Sequence, residues 1–438
     1  MQKASVLLIL YLISLFGYSL TRGFYAYQPF LVLFFNFIIF WFLLFSKNRT
    51  LTLVNKFNFE QVVLVVFLVN NLLYVLLFGG IYLITDTATT IIKFLLPLIL
   101  ILSAIYLFDF GKVQSRVLKL NFSALILLGI LGRILILIAS PAPKIDVYDM
   151  LKYGPTYFLK GKNPYSEMYP QRYQGVVPNY YTYFPLSLPI FLPADFLFRD
   201  PRVTYLVSDL VVAFLLFKIL DKARTKLGYS KYLLPLIFFY HPSGSFILEQ
   251  SWMEPLILMI LVVFVYMEIF LKNLRRFSFL MLGLFLGVKQ SMLILLPFFV
   301  FFSQVRKSTI FKSLALVFIS VLPFLIWSYR DFYNDTVKFF IVLPPRYDSL
   351  VLNSFTHDIF GKDLPKQLMY LLWLIVFGIS FTKKFTTWSK FITVLSFLLF
   401  GFYIFNKQAF IHYYYFVSGL FLLAAILSVW EERSLSID

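Results

Sequence analysis

The chain has 438 residues, of which 60% are hydrophobic, 21% aromatic and only 14% charged, with 55 Phe and 29 Tyr. A soluble domain carries about 25% charge, so no water-exposed globule of this length covers itself with so little. The net charge of +18 comes without a single cysteine, which excludes disulfide scaffolds, thiolate metal centres and iron–sulfur clusters.

A crossing helix needs roughly 20 apolar residues. Apolar stretches predict helices at 4–20, 29–46, 61–85, 91–108, 122–140, 203–217 and 232–248. They continue at 254–271, 277–288, 290–303, 311–328, 366–382, 391–405 and 410–429. Some of these, 277–288 most clearly, are short for a straight crossing and are expected to lean, break or enclose a cavity.

Lys and Arg in short loops stay cytoplasmic. Basic loops occur at Lys47, Arg49 and Lys56; at Lys112, Arg116 and Lys119; and at Lys218, Lys222, Arg224, Lys226 and Lys231. Others hold Lys272, Arg275 and Arg276; Arg306, Lys307 and Lys312; and Lys383, Lys384 and Lys390. Every second loop is basic if both termini are cytoplasmic, which leaves 141–202 and 329–365 as long external loops. Most of the positive charge is therefore a topology signal, and no nucleic-acid partner is expected. Tyr183–Phe198 is apolar enough to cross, but Pro185, Pro189 and Pro193 remove donors at four-residue spacing, so a broken or re-entrant segment is expected. Residues 1–120 are read as a four-helix membrane extension, and 121–438 as the functional membrane domain.

Polar chemistry gathers in the external segments. Asp146 and Asp149 arrive just after Pro141-Ala-Pro143, where a carboxylate can take a proton from a hydroxyl held at the membrane face. Nine tyrosines follow between Tyr148 and Tyr183, Tyr165 among them. Such enrichment fits an interfacial belt and equally a sugar site, where rings stack on C–H faces and phenols bond hydroxyls. Lys289 interrupts an apolar stretch, a costly placement that marks either phosphate contact or snorkelling to headgroups. Arg346, Lys407 and His412 offer further cations, while Glu249, Gln250 and Glu254 share one short external loop. No compact acid cluster such as Asp-x-Asp occurs, so no metal and no cofactor is expected.

Three strings in the first long loop, Asp146-Val-Tyr148, Gly161-Lys-Asn163-Pro164-Tyr165 and Tyr181-Thr-Tyr183-Phe-Pro185, resemble the first external loop of GT-C polyprenyl-phosphate-sugar-dependent glycosyltransferases. The similarity is closest to the multispanning mannosyltransferase branch. Further pieces follow in order: Tyr240-His241-Pro242, Glu249-Gln250 with Glu254, Gly283 to Gln290, Leu322-Pro323-Phe324, and Lys407 to Phe416. The resemblance covers about 121–430; the four helices ahead of it depart from the family pattern.

The resemblance implies an all-α fold of about 13–15 transmembrane or re-entrant helices in a cell membrane, with an external active site. One sugar, mannose or another hexose, would pass from a polyprenyl (dolichyl) phosphate donor to a lipid or glycan acceptor, with inversion. Asp146 matches the family's base best, with Asp149 in reserve. Lys289, Arg346, His412 and Lys407 would hold the donor phosphate, and Tyr148, Tyr165, Glu249, Gln250 and Glu254 the sugar or acceptor. A transporter or lipid-linked-glycan flippase is the rival class; it would place paired charges along a path through repeated halves, and the sequence shows no repeat.

Overall fold

The computed structural model describes residues 1–45, 58–84, 86–108, 115–223 and 227–432. Of the basic-loop residues, Lys47, Arg49, Lys56, Lys112, Arg224 and Lys226 lie outside the described residues. The fold is all-α; among the described residues the β-type pairing is an isolated bridge between Phe24 and Ser349.

In chain order, α1 is Gln2–Tyr18, α2 Tyr27–Phe45, α3 Phe59–Leu77, α4 Thr87–Ala104, α5 Ser115–Ala139, α6 Asp146–Leu159 and α7 Ser187–Phe198. There follow α8 Val203–Asp221, α9 Ser230–Phe239, α10 Gly244–Glu249, α11 Glu254–Phe270, α12 Ser278–Val288 and α13 Leu296–Phe301. The last are α14 Lys307–Tyr333, α15 Phe339–Val342, α16 Leu352–Phe360, α17 Lys366–Phe381, α18 Trp388–Ile404 and α19 Ile411–Glu431.

Seven of these, α2, α3, α4, α5, α8, α14 and α19, are long and apolar enough to cross a membrane. Several turn bare hydrocarbon outward: Phe42, Phe94, Phe311 and Ile326 are 70–77% exposed. Acyl chains solvate such faces and water does not. The molecule is built as a multi-pass membrane protein.

The helices form two compact units. The first comprises residues 1–139, 213–247 and 345–438. Its axis is α19, whose apolar length is 89% buried against 22% for α4; α1 and α18 pack along it, and α3 packs on α9. The stretch expected as one helix at 232–248 breaks, because Pro242 cannot donate to the preceding turn. Helix α9 stops at Phe239, and a tight turn leads to α10. The carbonyls freed there find donors from earlier helices: Asn70 Nδ2 to Tyr240 O at 2.8 Å and Arg133 Nη2 to Phe239 O at 2.5 Å. Tyr11 donates to Asn70 Oδ1 at 2.6 Å and fixes that amide's orientation. Non-helical backbone at membrane depth requires this kind of compensation.

The second unit comprises residues 140–212 and 248–344. Helix α12 packs between α11 and α14, and α6 packs on α7. Glycines permit the closest approach: a Cβ at Gly287 would lie 2.5 Å from Leu186 Cδ1 and 3.1 Å from Val317 Cγ2. Helix α12 ends at Val288, Lys289 is extended (φ −138°, ψ 119°), and a 3-10 turn over Gln290–Leu295 leads into the six-residue α13. The stretch 277–303 is thus two half-helices about a break. The proline-bearing segment is helical only over Ser187–Phe198, about 18 Å at 1.5 Å per residue, against a hydrocarbon core of about 30 Å.

Helix α14 runs from Lys307 to Ser328 over about 33 Å, a membrane's thickness, before Ser328 leaves helical geometry (φ −156°, ψ 88°). Ser328 Oγ accepts from Asp331 N–H at 3.4 Å, capping the helix that restarts there, and donates to Asp331 Oδ2 at 2.8 Å. A π-helical turn at Asn334–Lys338 and α15 complete it. The expected long loops at 141–202 and 329–365 therefore hold α6, α7, the end of α14, α15 and α16.

Candidate functional site

The chain bends at Pro141-Ala142, Ile145 N–H turns back to Pro143 O at 3.0 Å, and α6 begins on Asp146 after an extended Ile145. Asp146 and Asp149 occupy its first turn, where the helix dipole favours carboxylates. Asp146 Oδ1 accepts from Val147 N–H at 2.9 Å and from the Tyr173 hydroxyl at 3.4 Å, while Oδ2 accepts from the Tyr180 hydroxyl at 2.9 Å. Burial raises its carboxyl above the ordinary aspartate range, and the bonds from Tyr180 and Val147 pull the other way. Burial and the adjoining carboxylate push the Tyr180 phenol up, so it remains a donor. Asp149, nearly fully buried, has both oxygens on the Arg172 guanidinium, at 2.5 and 2.8 Å.

Tyr180 opens a five-residue strap fastened to several elements of this unit. Tyr181 N–H donates to Asp335 Oδ2 at 2.7 Å, and its hydroxyl bonds Ser187 Oγ at 2.7 Å. Gln290 Nε2 donates to Thr182 O and to Thr336 O, each at 3.0 Å. Phe184 N–H donates to Val288 O at 3.2 Å. Gly154 of α6 lies against the Tyr181 ring so closely that a Cβ would stand 2.5 Å from Cε2. The strap thus joins the start of α6 to the break at Lys289.

At that break Lys289 Nζ meets Glu254 Oε1 at 2.6 Å, with side chains 11% and 3% exposed. Beside it, Ser291 Oγ is buried with no hydrogen-bond partner among the described residues. Glu249 and Gln250 are buried and bonded to each other at 2.9 Å. Tyr148 is buried, its hydroxyl accepts from Lys152 Nζ at 3.2 Å, and its ring carries the Arg202 guanidinium 5.2 Å from the centroid. Tyr165 is a core ring, edge-on to Tyr181 and Phe332, with its hydroxyl donating to Tyr183 O at 2.8 Å.

The remaining expected cations belong to the first unit. Arg346 closes its fork on Asp348 at 2.9 and 2.7 Å, lies over the Phe410 ring, and receives the Lys407 carbonyl on its backbone N–H at 3.1 Å. His412 opens α19, buried, with its ring 4.1 Å from that of Tyr413. The expected residues therefore assemble locally: Asp146 beneath its tyrosines, Lys289 with Glu254, Glu249 with Gln250, and Arg346 with Lys407.

Several members of the second unit's cluster were not singled out in the sequence. Arg172 carries no local signal, because its partner is 23 residues away. Asp331, Asn334, Asp335 and Lys338 do carry one: their i, i+3, i+4, i+7 spacing marks a polar face on a helix end. Comparison with profiles of known families, with curated proteins and with solved structures finds no significant match.

Proposed function

We propose that the chain is a GT-C-like membrane glycosyltransferase, with about 13–15 crossing or re-entrant helices. It moves one hexose from a polyprenyl-phosphate donor to an acceptor hydroxyl on the extracytoplasmic side of the cell membrane. The observation that carries the reading is the Tyr180–Phe184 strap, which fastens a half-buried carboxylate at one end and a buried lysine's helix break at the other.

Sugar transfer from a lipid phosphate needs one base and one cation. Asp146 removes the proton from the acceptor hydroxyl, whose oxygen attacks the anomeric carbon from the face opposite the phosphate. The C–O bond to phosphate breaks, the electron pair stays on the lipid phosphate, and the configuration inverts. That leaving group is already anionic and calls for a positive charge rather than an acid; Lys289 supplies it, aimed by Glu254. Asp149 is the weaker base, because both of its oxygens are held by Arg172.

The test is donor-dependent transfer in reconstituted vesicles. Asp146→Asn lowers turnover by about 10²–10⁴-fold, the range of a lost general base; turnover near wild type in folded protein overturns the reading.

A further inference from the structure

A cavity of about 380 Å³ opens at Tyr180, with Asn179, Asp331, Asn334, Asp335 and Lys338 among its polar lining. Small-molecule sites run from about 300 to 1,000 Å³. Tyr180 forms part of the wall and bonds the Asp146 carboxylate with its hydroxyl. The floor is the π-helical turn over Asn334–Lys338; such turns re-aim side chains and recur at functional sites.

Asp335 is the telling residue. It is only 5% exposed and spends Oδ2 on Tyr181 N–H, while Oδ1 has no hydrogen-bond partner among the described residues. That oxygen is accessible from the cavity rather than sealed in the interior, so a ligand hydroxyl can reach it. Around it, the amides of Asn179 and Asn334 and the Lys338 ammonium make no hydrogen bond to other described residues. Asp331 is differently placed, since its Oδ2 accepts from Ser166 at 2.6 Å and from Ser328 at 2.8 Å. Phe339 and Val342 give the cavity an apolar side. Carboxyl and amide groups beside an aromatic face together fit the hydroxyls of a C–H-bearing ring. Burial pushes the Asp335 carboxyl up to about 8, and against an anion the Lys338 ammonium is offset by Asp331.

We propose that this cavity binds a neutral hexose unit, the terminal sugar of the acceptor, with a ring hydroxyl hydrogen-bonded to Asp335 Oδ1. The word acceptor rests on the glycosyltransferase reading; the hexose subsite itself does not. The acceptor is then a glycan rather than a simple lipid alcohol.

The experiment is saturation-transfer NMR on the full chain in nanodiscs free of glycoside detergent, with methyl α-mannoside, methyl glucuronide and myo-inositol as probes. Wild type binds the mannoside in preference to the other two. Asp335→Asn keeps an oxygen for Tyr181 N–H but weakens mannoside binding about tenfold, as for one hydrogen bond lost. Val342→Trp, at an exposed position on the cavity wall, blocks it without touching that bond. The inference is overturned if wild type does not bind the mannoside, if both variants bind it as wild type does, or if glucuronide or inositol is preferred. Because this readout needs no turnover, its failure is distinct from a failure of the Asp146 test.

Discussion

Tyr180 and Asp146 lie 34 residues apart and meet at 2.9 Å, phenol to carboxylate, where the start of α6 faces the strap. The contact gives Asp146 an acceptor role now and a titration that depends on its neighbour. Burial lifts the carboxyl and the Tyr180 bond restrains that lift.

A base must be deprotonated, so the pH profile of transfer falls on its acid side through the Asp146 pKa, at a higher pH than the ordinary aspartate value of about 3.9. Tyr180→Phe removes a donor to the charged form and moves the acid limb further up. Initial rates of donor-dependent transfer across pH, at saturating donor, check both the position and the direction. An acid limb that stays in place in the variant removes Tyr180 from the account.

Lys289 and Glu254 form a buried pair, and removing one partner strands the other. Lys289→Met or Glu254→Gln alone costs about 3–5 kcal/mol of stability. The double change to Met and Leu recovers most of it, because apolar replacement of a buried pair is close to neutral. Thermal unfolding in nanodiscs reads the stability. Transfer stays lost in the stable double variant if Lys289 serves the donor phosphate; full activity there assigns the pair to structure alone.

Gly154 sets the height of the strap. Gly154→Ala places a methyl against the fully buried Tyr181 ring, an overpacking of about 1–3 kcal/mol. The ring, and with it the fastening to Asp335 and Gln290, must move. Transfer is expected to fall more than a stability loss of that size explains, and comparing rates below the unfolding range separates the two. A variant with normal rates and lowered stability shows that the strap tolerates displacement.

Two arginine–carboxylate pairs differ by burial. Asp149 is 1% exposed beneath Arg172, whereas Arg346 and Asp348 are 50% and 45% exposed. Arg172→Met leaves a buried carboxylate and destabilises by about 3–5 kcal/mol, while Arg346→Met costs about 0–1 kcal/mol. Unfolding midpoints of the two variants, measured side by side, give the order; equal effects contradict the burial argument.

Much of the helical framework is legible without coordinates. Hydropathy places α2, α8 and α19 within a few residues, because each must hide about 20 consecutive peptide groups from lipid. Where prolines and glycines intervene, legibility drops. Pro242 ends α9 inside a stretch that reads as continuous helix, and of the helices within the long loops only α7 has an apolar run long enough to read from the sequence. Asp146 was legible as an acid following prolines at a helix start.

Composition and spacing by themselves determined that the chain is all-helical and membrane-borne, and put its scarce acids beside the tyrosines, because burial of backbone in lipid is a local, one-dimensional demand. Only the tertiary structure decided which partner each charge has. It gave Asp149 to Arg172, Lys289 to Glu254, Tyr180 to Asp146, and left Asp335 with one oxygen facing a cavity. Those three pairings join residues 23 to 35 positions apart, and the bond from Tyr181 N–H to Asp335 spans 154. They follow from the close packing of α6, the strap and the end of α14 in a low-dielectric setting, where a charge without a partner is costly.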